Sequence, residues 1–223
     1  MAKNSLGIWV AGARPRTLPA AIAPVLVASA LAGSAFNPLT AGLALVVSLS
    51  LQVGVNYAND YSDGIRGTDN DRIGPLRITA GGLATPAKVR NAAFVSFALA
   101  ACAGLGLAVA TSWWLIAVGA ISIAAAWGYT GGKKPYGYMG LGEIFVFIFF
   151  GLVATVGTFY VQVEEITGQS ILAGIIVGSL ACAILVINNI RDRAKDEVVS
   201  KRTLAVRLGD RRSRSFYTFL VIA

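Results

Sequence analysis

The sequence predicts an all-α fold, a multi-pass transmembrane helical bundle. Three observations lead there. Of 223 residues, 56% are hydrophobic and 13% are charged, against ~25% charged in a soluble domain. Apolar runs of roughly 20 residues, the length a helix needs to cross a bilayer, alternate with short polar segments that hold the charges. All 19 Lys and Arg fall in every second polar segment or within a turn of it, the asymmetry that keeps basic loops in the cytoplasm.

Six full spans and a truncated seventh follow in order. Segment 1–16 is basic and cytoplasmic, and the first span, 17–36, leaves it. Its apolar run continues well past the core of a secretory leader, so it reads as a span and not as a cleaved signal. The chain turns on the outer side near Asn37 and returns through 38–59 to the long polar segment 60–87. Spans 88–110 and 113–130 form a pair joined near Thr111 and lead to the basic segment 131–140. Spans 141–162 and 170–190 form the next pair. Their outer turn, 163–169, holds Glu164 and Glu165, and 191–214 is again inner and basic. A further apolar run opens at Ser215 and reaches Ala223, too short to span. Residues 1–223 are therefore expected to form a single membrane domain, incomplete at its C-terminus.

The net charge of +8 then belongs to the cytoplasmic face, where basic residues orient the chain and attract anionic lipid. Nucleic acid is not an expected partner. The absence of histidine argues against zinc chemistry and imidazole acid–base catalysis. Cys102 and Cys182 lie singly in apolar runs and read as small buried hydrophobes.

Chemistry concentrates where spans end on the inner side. Asn56, Asp60 and Asp63 close the second span, with Asp69 and Asp71 downstream; Asn188, Asp192 and Asp196 close the sixth. Asn56/Asp60 and Asn188/Asp192 share an i, i+4 spacing, which puts each pair on one helical face. Matching polar features in two halves of a membrane protein suggest half-repeats facing one site. Crowded carboxylates need compensation. Mg²⁺ supplies it through oxygen ligands, binding one or two carboxylates together with substrate phosphates. Tyr129 and Lys133, spaced one helical turn apart at the end of the fourth span, with Lys134 beside them, offer phosphate donors. The Gly-rich loop 71–82 carries Arg72 and Arg77 but lacks the ending of a P-loop. Lys201 and Arg202 follow the second cluster in the same way. Solvated helix ends and snorkelling lysines are the bland alternative for each feature taken alone.

Together these strings resemble the UbiA superfamily of intramembrane aromatic prenyltransferases, and within it the branch that prenylates 1,4-dihydroxy-2-naphthoate. The carriers are Ala13-Arg14-Pro15-Arg16-Thr17-Leu18-Pro19, Asn56 through Gly64, Gly67-Thr68-Asp69, Arg72 through Gly82, Asn188 through Asp192 with Asp196, and Lys201 through Gly209. The branch usually has Gly before Lys-Arg-Thr, where this chain has Ser200. The superfamily is built from about nine transmembrane helices, so the resemblance also implies that the fold continues beyond the seventh run. It implies Mg²⁺ as cofactor, held by Asp60, Asp63, Asp192 and Asp196 as the catalytic carboxylates, with Asn56 assisting. Tyr129, Lys133, Arg72, Arg77, Lys201 and Arg202 become diphosphate ligands, and Arg14, Arg16 and Asn188 acceptor-binding residues.

The implied reaction transfers a polyprenyl group from its diphosphate to 1,4-dihydroxy-2-naphthoate at the cytoplasmic side of the cell membrane, giving demethylmenaquinone. Rival readings are a related enzyme using 4-hydroxybenzoate or a tetrapyrrole, a CDP-alcohol phosphotransferase, and an inverted-repeat transporter. The phosphotransferase motif is incomplete here. A transporter would carry its charges near mid-membrane, whereas these lie at helix ends.

Overall fold

The computed structural model describes residues 5–68 and 76–222. Arg72, with Asp69 and Asp71, lies outside the described residues. The chain forms α1 (Ser5–Ala13), a 3-10 turn at Pro15–Thr17, α2 (Pro19–Ala32) and α3 (Pro38–Arg66). It continues with α4 (Pro86–Ala110), α5 (Leu115–Gly128), α6 (Gly142–Val163), α7 (Gly168–Val198) and α8 (Leu204–Ile222). No strand occurs among the described residues.

Local chemistry sets the boundaries. Asn37 caps α3 by accepting from the amides of Leu39 and Thr40, with Pro38 at the first helical position. Gly67 ends α3 in a left-handed conformation, φ 73°. A reciprocal pair, Thr167 with Ser170, starts α7. Within α8, Gly209 (φ 75°, ψ 174°) breaks the helix before the apolar run from Ser215.

Among the described residues, four helices are long and apolar enough to cross a membrane alone: α3, α4, α6 and α7. The first expected span differs, because a helical break at Leu18, between Pro15 and Pro19, joins it to a preceding helical piece. It is a pair of helical pieces, Leu6–Thr17 and Pro19–Ala35, bent by 52°. The fourth is the 14-residue α5, started late by the turn at Ser112–Trp114. Helices α3 and α7 run past the expected ends at 59 and 190. With 29 and 31 residues they measure about 43 and 46 Å, more than the ~30 Å hydrocarbon core. Their acidic ends are therefore ordered helix standing above the apolar layer.

The bundle is inside-out relative to a soluble protein. Its buried positions are dominated by Ala, Ser and Thr, while Leu99, Val109, Leu172 and Ile176 face outward. Small residues let helices approach closely, and lipid accepts the large ones. Cys182 is buried as expected, but Cys102 is exposed on the outside of α4, because an apolar solvent does not drive a thiol inward. A close backbone-to-backbone seam joins α6 to α7. A methyl added at Gly151 would lie 2.6 Å from Gly178 Cα and 2.7 Å from the Gly174 carbonyl. At that seam, residues Phe147–Val156 of α6 are wound as wider π turns. The largest helix contacts are α3 with α4, then α7 with α6 and α8. The ends of α3, α5 and α7 and the start of α6 gather at one end of the molecule, which carries the site.

Candidate active site

Asp63 lies on the last turns of α3 and is buried. Its Oδ1 accepts the Tyr138 hydroxyl at 2.7 Å, and its Oδ2 lies 3.8 Å from Lys201 Nζ. The same ammonium lies 4.0 Å from Asp196 Oδ1 on α7. One lysine thus sits between carboxylates contributed by the two halves of the chain. Lys201 reaches this place because the backbone reverses after α7. Ser200 takes a left-handed conformation, φ 59°, and the Lys201 amide donates to the Asp196 carbonyl at 2.7 Å.

Tyr138 is the hub on the other side. Lys201 stands 5.0 Å and Arg66 5.5 Å from its ring centroid, a cation–π arrangement. Burial, and then the Asp63 charge, push its hydroxyl well above the ordinary 10.0, so it donates as a neutral phenol. The segment carrying it is fastened to α3. Thr130 donates to Asn59 Oδ1 at 2.7 Å, and the Arg66 guanidinium donates to the carbonyls of Thr130 and Gly132.

Below this polar mouth lies an apolar cavity of about 390 Å³. Tyr129 and Tyr136 line its upper end. Ala44, Leu107, Leu115 and Val161, at the opposite ends of α3–α6, line its lower end. From Val55 to Ala44 along α3 it runs about 16 Å at 1.5 Å per residue. Tyr129 is also within electrostatic reach of Glu143, Asp63 and Asp196.

The residues expected from sequence divide accordingly. Asp63, Asp196 and Lys201 meet at one point, and Tyr129 stands at the cavity mouth. Asp192 is gripped by Nε and Nη2 of Arg191, each at 2.8 Å, and Asn188 joins the same cluster by accepting from Nη1 of Arg191. Asn56 faces the N-terminal segment, donating to the Ala13 carbonyl at 2.8 Å and to Thr17 Oγ1 at 3.0 Å. Arg14, left-handed at φ 53°, donates to the Asn56 carbonyl, and Arg16 is exposed on the 3-10 turn. The Asn-to-Asp echo is therefore one of spacing and not of surroundings. Asp60 accepts the amides of Ile78 and Thr79 at 2.9 and 2.8 Å. Tyr129 and Lys133 are not on one helical turn. Helix α5 stops at Gly128, Gly132 is left-handed, and Lys133 is exposed on the loop, as is Arg202 on its own. Arg77 is buried at the start of its turn. Sequence reasoning missed Tyr138, Thr130, Asn59 and Arg66. Asn59 and Arg66 lay in the acidic segment already, and Tyr138 in the Lys-Lys-Pro-Tyr-Gly-Tyr loop, whose second tyrosine was the available signal.

No group of three or more carboxylate or thiol side chains converges among the described residues. The donor set still suits a hard divalent cation with a phosphate ligand. Two carboxylates from opposite halves already share one cationic group, and Mg²⁺ with phosphates needs only one or two carboxylates.

A helical membrane bundle with paired acids and a lysine over an apolar chamber describes a class of intramembrane enzymes acting on lipids that carry a charged head. Comparison with known proteins makes this specific: the UbiA prenyltransferase family profile matches residues 21–223, and the chain belongs to that family. The 1,4-dihydroxy-2-naphthoate octaprenyltransferase of Mycobacterium tuberculosis is 54% identical over 219 residues, covering 97% of this chain and 75% of that protein. The enzyme of the same name from Escherichia coli is 40% identical over 223 residues, covering 96% and 72%. A UbiA homolog from Archaeoglobus fulgidus, solved bound to GPP and Mg²⁺, shares the fold with a TM-score of 0.70 at 16% identity, covering 96% of this chain and 75% of that one.

Proposed function

We propose that the chain transfers a polyprenyl group from its diphosphate to 1,4-dihydroxy-2-naphthoate, with loss of CO₂ and diphosphate, giving demethylmenaquinone for menaquinone biosynthesis. The observation that carries the reading is the convergence of Asp63, Asp196 and Lys201 at the mouth of an apolar chamber. The naphthoate enzymes at 40–54% identity support this acceptor over 4-hydroxybenzoate.

Asp63 and Asp196 would hold Mg²⁺, with Asp192 beside them one turn earlier on α7. When bound, the ion supplies positive charge against the diphosphate as the allylic C–O bond breaks. The chain's own residues do the rest. Lys201 is positioned to pass from the carboxylates to a phosphate oxygen, and the Tyr138 hydroxyl keeps Asp63 oriented. The chamber buries the prenyl chain and excludes water from its reactive end. Tyr129 and Tyr136 bound the region where tail meets head and where the naphthoate ring would be presented. The basic loops at this end of the chain support a cytoplasmic orientation of the mouth in the cell membrane.

The test is a membrane assay offering dihydroxynaphthoate and 4-hydroxybenzoate with one polyprenyl diphosphate, with and without Mg²⁺, products identified by mass. Mg²⁺-dependent, decarboxylated prenyl-naphthoquinol is expected. A product from 4-hydroxybenzoate alone would reassign the acceptor.

A further inference from the structure

We infer that Glu143 is a positioning residue: with Asn189 it pins α7 against the start of α6 and sets the rotation at which α7 presents Asp196 to Lys201 and Asp63. The pin rests on the metal–diphosphate reading of that site for its effect on binding and turnover.

Glu143 is a buried carboxylate that the proposed reaction does not use. It is the second residue of α6, 5% exposed, in a first turn whose free amides favour a negative group. No ion pair to it forms among the described residues. Its side-chain partner is neutral: Asn189 Nδ2 donates to Oε1 at 3.0 Å. A carboxylate kept among membrane helices without a cation marks a task, and an amide held by a carboxylate is a stronger tie than one held by a neutral acceptor. The main chain of the same residue is tied to the same helix, since Cys182 Sγ donates to the Glu143 carbonyl at 3.0 Å. Cys182 and Asn189 are seven residues apart on α7, so they lie on one face. Asp196 stands seven residues beyond Asn189, on that face again and about 10 Å further along the axis. The start of α6 is wedged as well: a methyl at Gly142 would lie 3.3 Å from both Leu185 Cδ2 and Tyr129 Cε2. Below the pin, α6 and α7 meet through Gly151, Gly174 and Gly178. Glycines bring backbones close, but they set the distance between two helices more than the rotation of either. Rotation is what the site needs fixed, because Asp196 must meet Lys201 Nζ, 4.0 Å away, and through it Asp63. The Glu143–Asn189 bond is directional and lies on the face that carries Asp196.

Five forms of the full chain in lipid nanodiscs test this: wild type, Glu143→Gln, Glu143→Leu, Asn189→Asp, and the double variant Glu143→Gln with Asn189→Asp. Glutamine keeps the acceptor oxygen and drops the charge, whereas leucine removes the acceptor. Aspartate at 189 sets two carboxylates against each other. Glutamine at 143 then restores the bond with donor and acceptor exchanged. Mn²⁺, in place of Mg²⁺, is titrated with inorganic diphosphate present and followed by electron paramagnetic resonance. Prenyl transfer to dihydroxynaphthoate is measured separately against Mg²⁺. Glu143→Leu and Asn189→Asp should each weaken Mn²⁺ binding about tenfold, the equivalent of one charge-assisted hydrogen bond, and raise the Mg²⁺ half-saturation of turnover alike. Glu143→Gln and the exchanged pair should bind Mn²⁺ as wild type does. If Glu143→Gln binds as weakly as Asn189→Asp, the charge matters and not the bond, and the pin is wrong. It is equally wrong if the exchanged pair stays as weak as Asn189→Asp alone. These two comparisons decide even where Glu143→Leu fails to fold. Wild type that takes up Mn²⁺ with diphosphate but forms no prenyl product would sink the prenyl-transfer reading, while binding would still decide on the pin.

Discussion

Asp63 is served by a neutral phenol and an ammonium, and the first of these has the clearer consequence. Tyr138→Phe removes an O–H donor to a buried carboxylate, an interaction of about 1.5–3 kcal/mol. It should lower kcat/KM by about tenfold or more without unfolding the loop, because Thr130 and Arg66 still fasten it; steady-state kinetics with a fluorescence melt would check both. The raised pKa of Tyr138 means that this donor keeps its proton to above pH 10.0, so stability owed to it is intact below that value and lost only as pH rises further. A pH–rate profile should show no phenolic limb below pH 10.0. Ser200 makes a second case. A non-glycine residue at φ 59° carries a backbone cost that glycine avoids, which gives a conformational reason for glycine at this place in related chains. Ser200→Gly should stabilise the protein by about 1 kcal/mol, read as a higher Tm in detergent. Asp63, Asp196 and Lys201 were legible as residue types that suit a metal–diphosphate site. Tyr138 was not, because its contact with Asp63 joins α3 to a segment 75 residues further on, and spacing speaks only for residues on one element.

Among the elements, the α6–α7 seam and the chamber make opposite demands on glycine. Gly151 and Gly178 meet backbone to backbone, and a methyl at Gly178 would also lie 3.0 Å from the Phe147 ring and 3.1 Å from Gly151 Cα. Gly178→Leu should destabilise by about 1–3 kcal/mol or prevent assembly, measured by detergent melting or yield of folded protein. Gly119 also lines the chamber, but nothing lies within 4 Å of where its Cβ would be. Gly119→Phe should therefore fold, fill part of the 390 Å³, and shift preference toward shorter prenyl diphosphates; competition between a short and a long donor would show it. Equal use of both would mean that the tail lies elsewhere. The apolar runs announced most of these helices, because hydropathy follows directly from the need to cross lipid. They did not announce the 52° bend between α1 and α2 or the 14-residue length of α5. Nor did they reveal how far α3 and α7 overhang. A polar stretch looks like a loop until tertiary partners, here Ile78, Thr79, Tyr138 and Lys201, hold it as helix.

For the molecule as a whole, the distribution of charge predicts an orientation. In a Cys102→Ser, Cys182→Ser background, cysteines placed singly at Arg90 and Glu165, both exposed, should react with an impermeant thiol reagent from opposite sides of the membrane. Arg90→Cys is expected to label from the cytoplasm; labelling of both from one side would overturn the span assignment. The sequence by itself determined the class of protein, the alternation of its helices, the side on which its basic loops gather and the stock of acids and cations for the site. These follow from solvation: apolar runs, buried charges and basic loops have few places to go in a bilayer. Only the tertiary structure decided which acids act together. Asn56 and Asp60 share a face and a spacing with one another, yet the first ties down the N-terminal segment and the second a turn of the loop. Asp63, three residues on, looks instead toward Lys201 and Asp196. Spacing along a helix fixes the direction in which a side chain leaves it. What it meets there depends on how distant helices pack, and that is set by steric fit over the whole bundle.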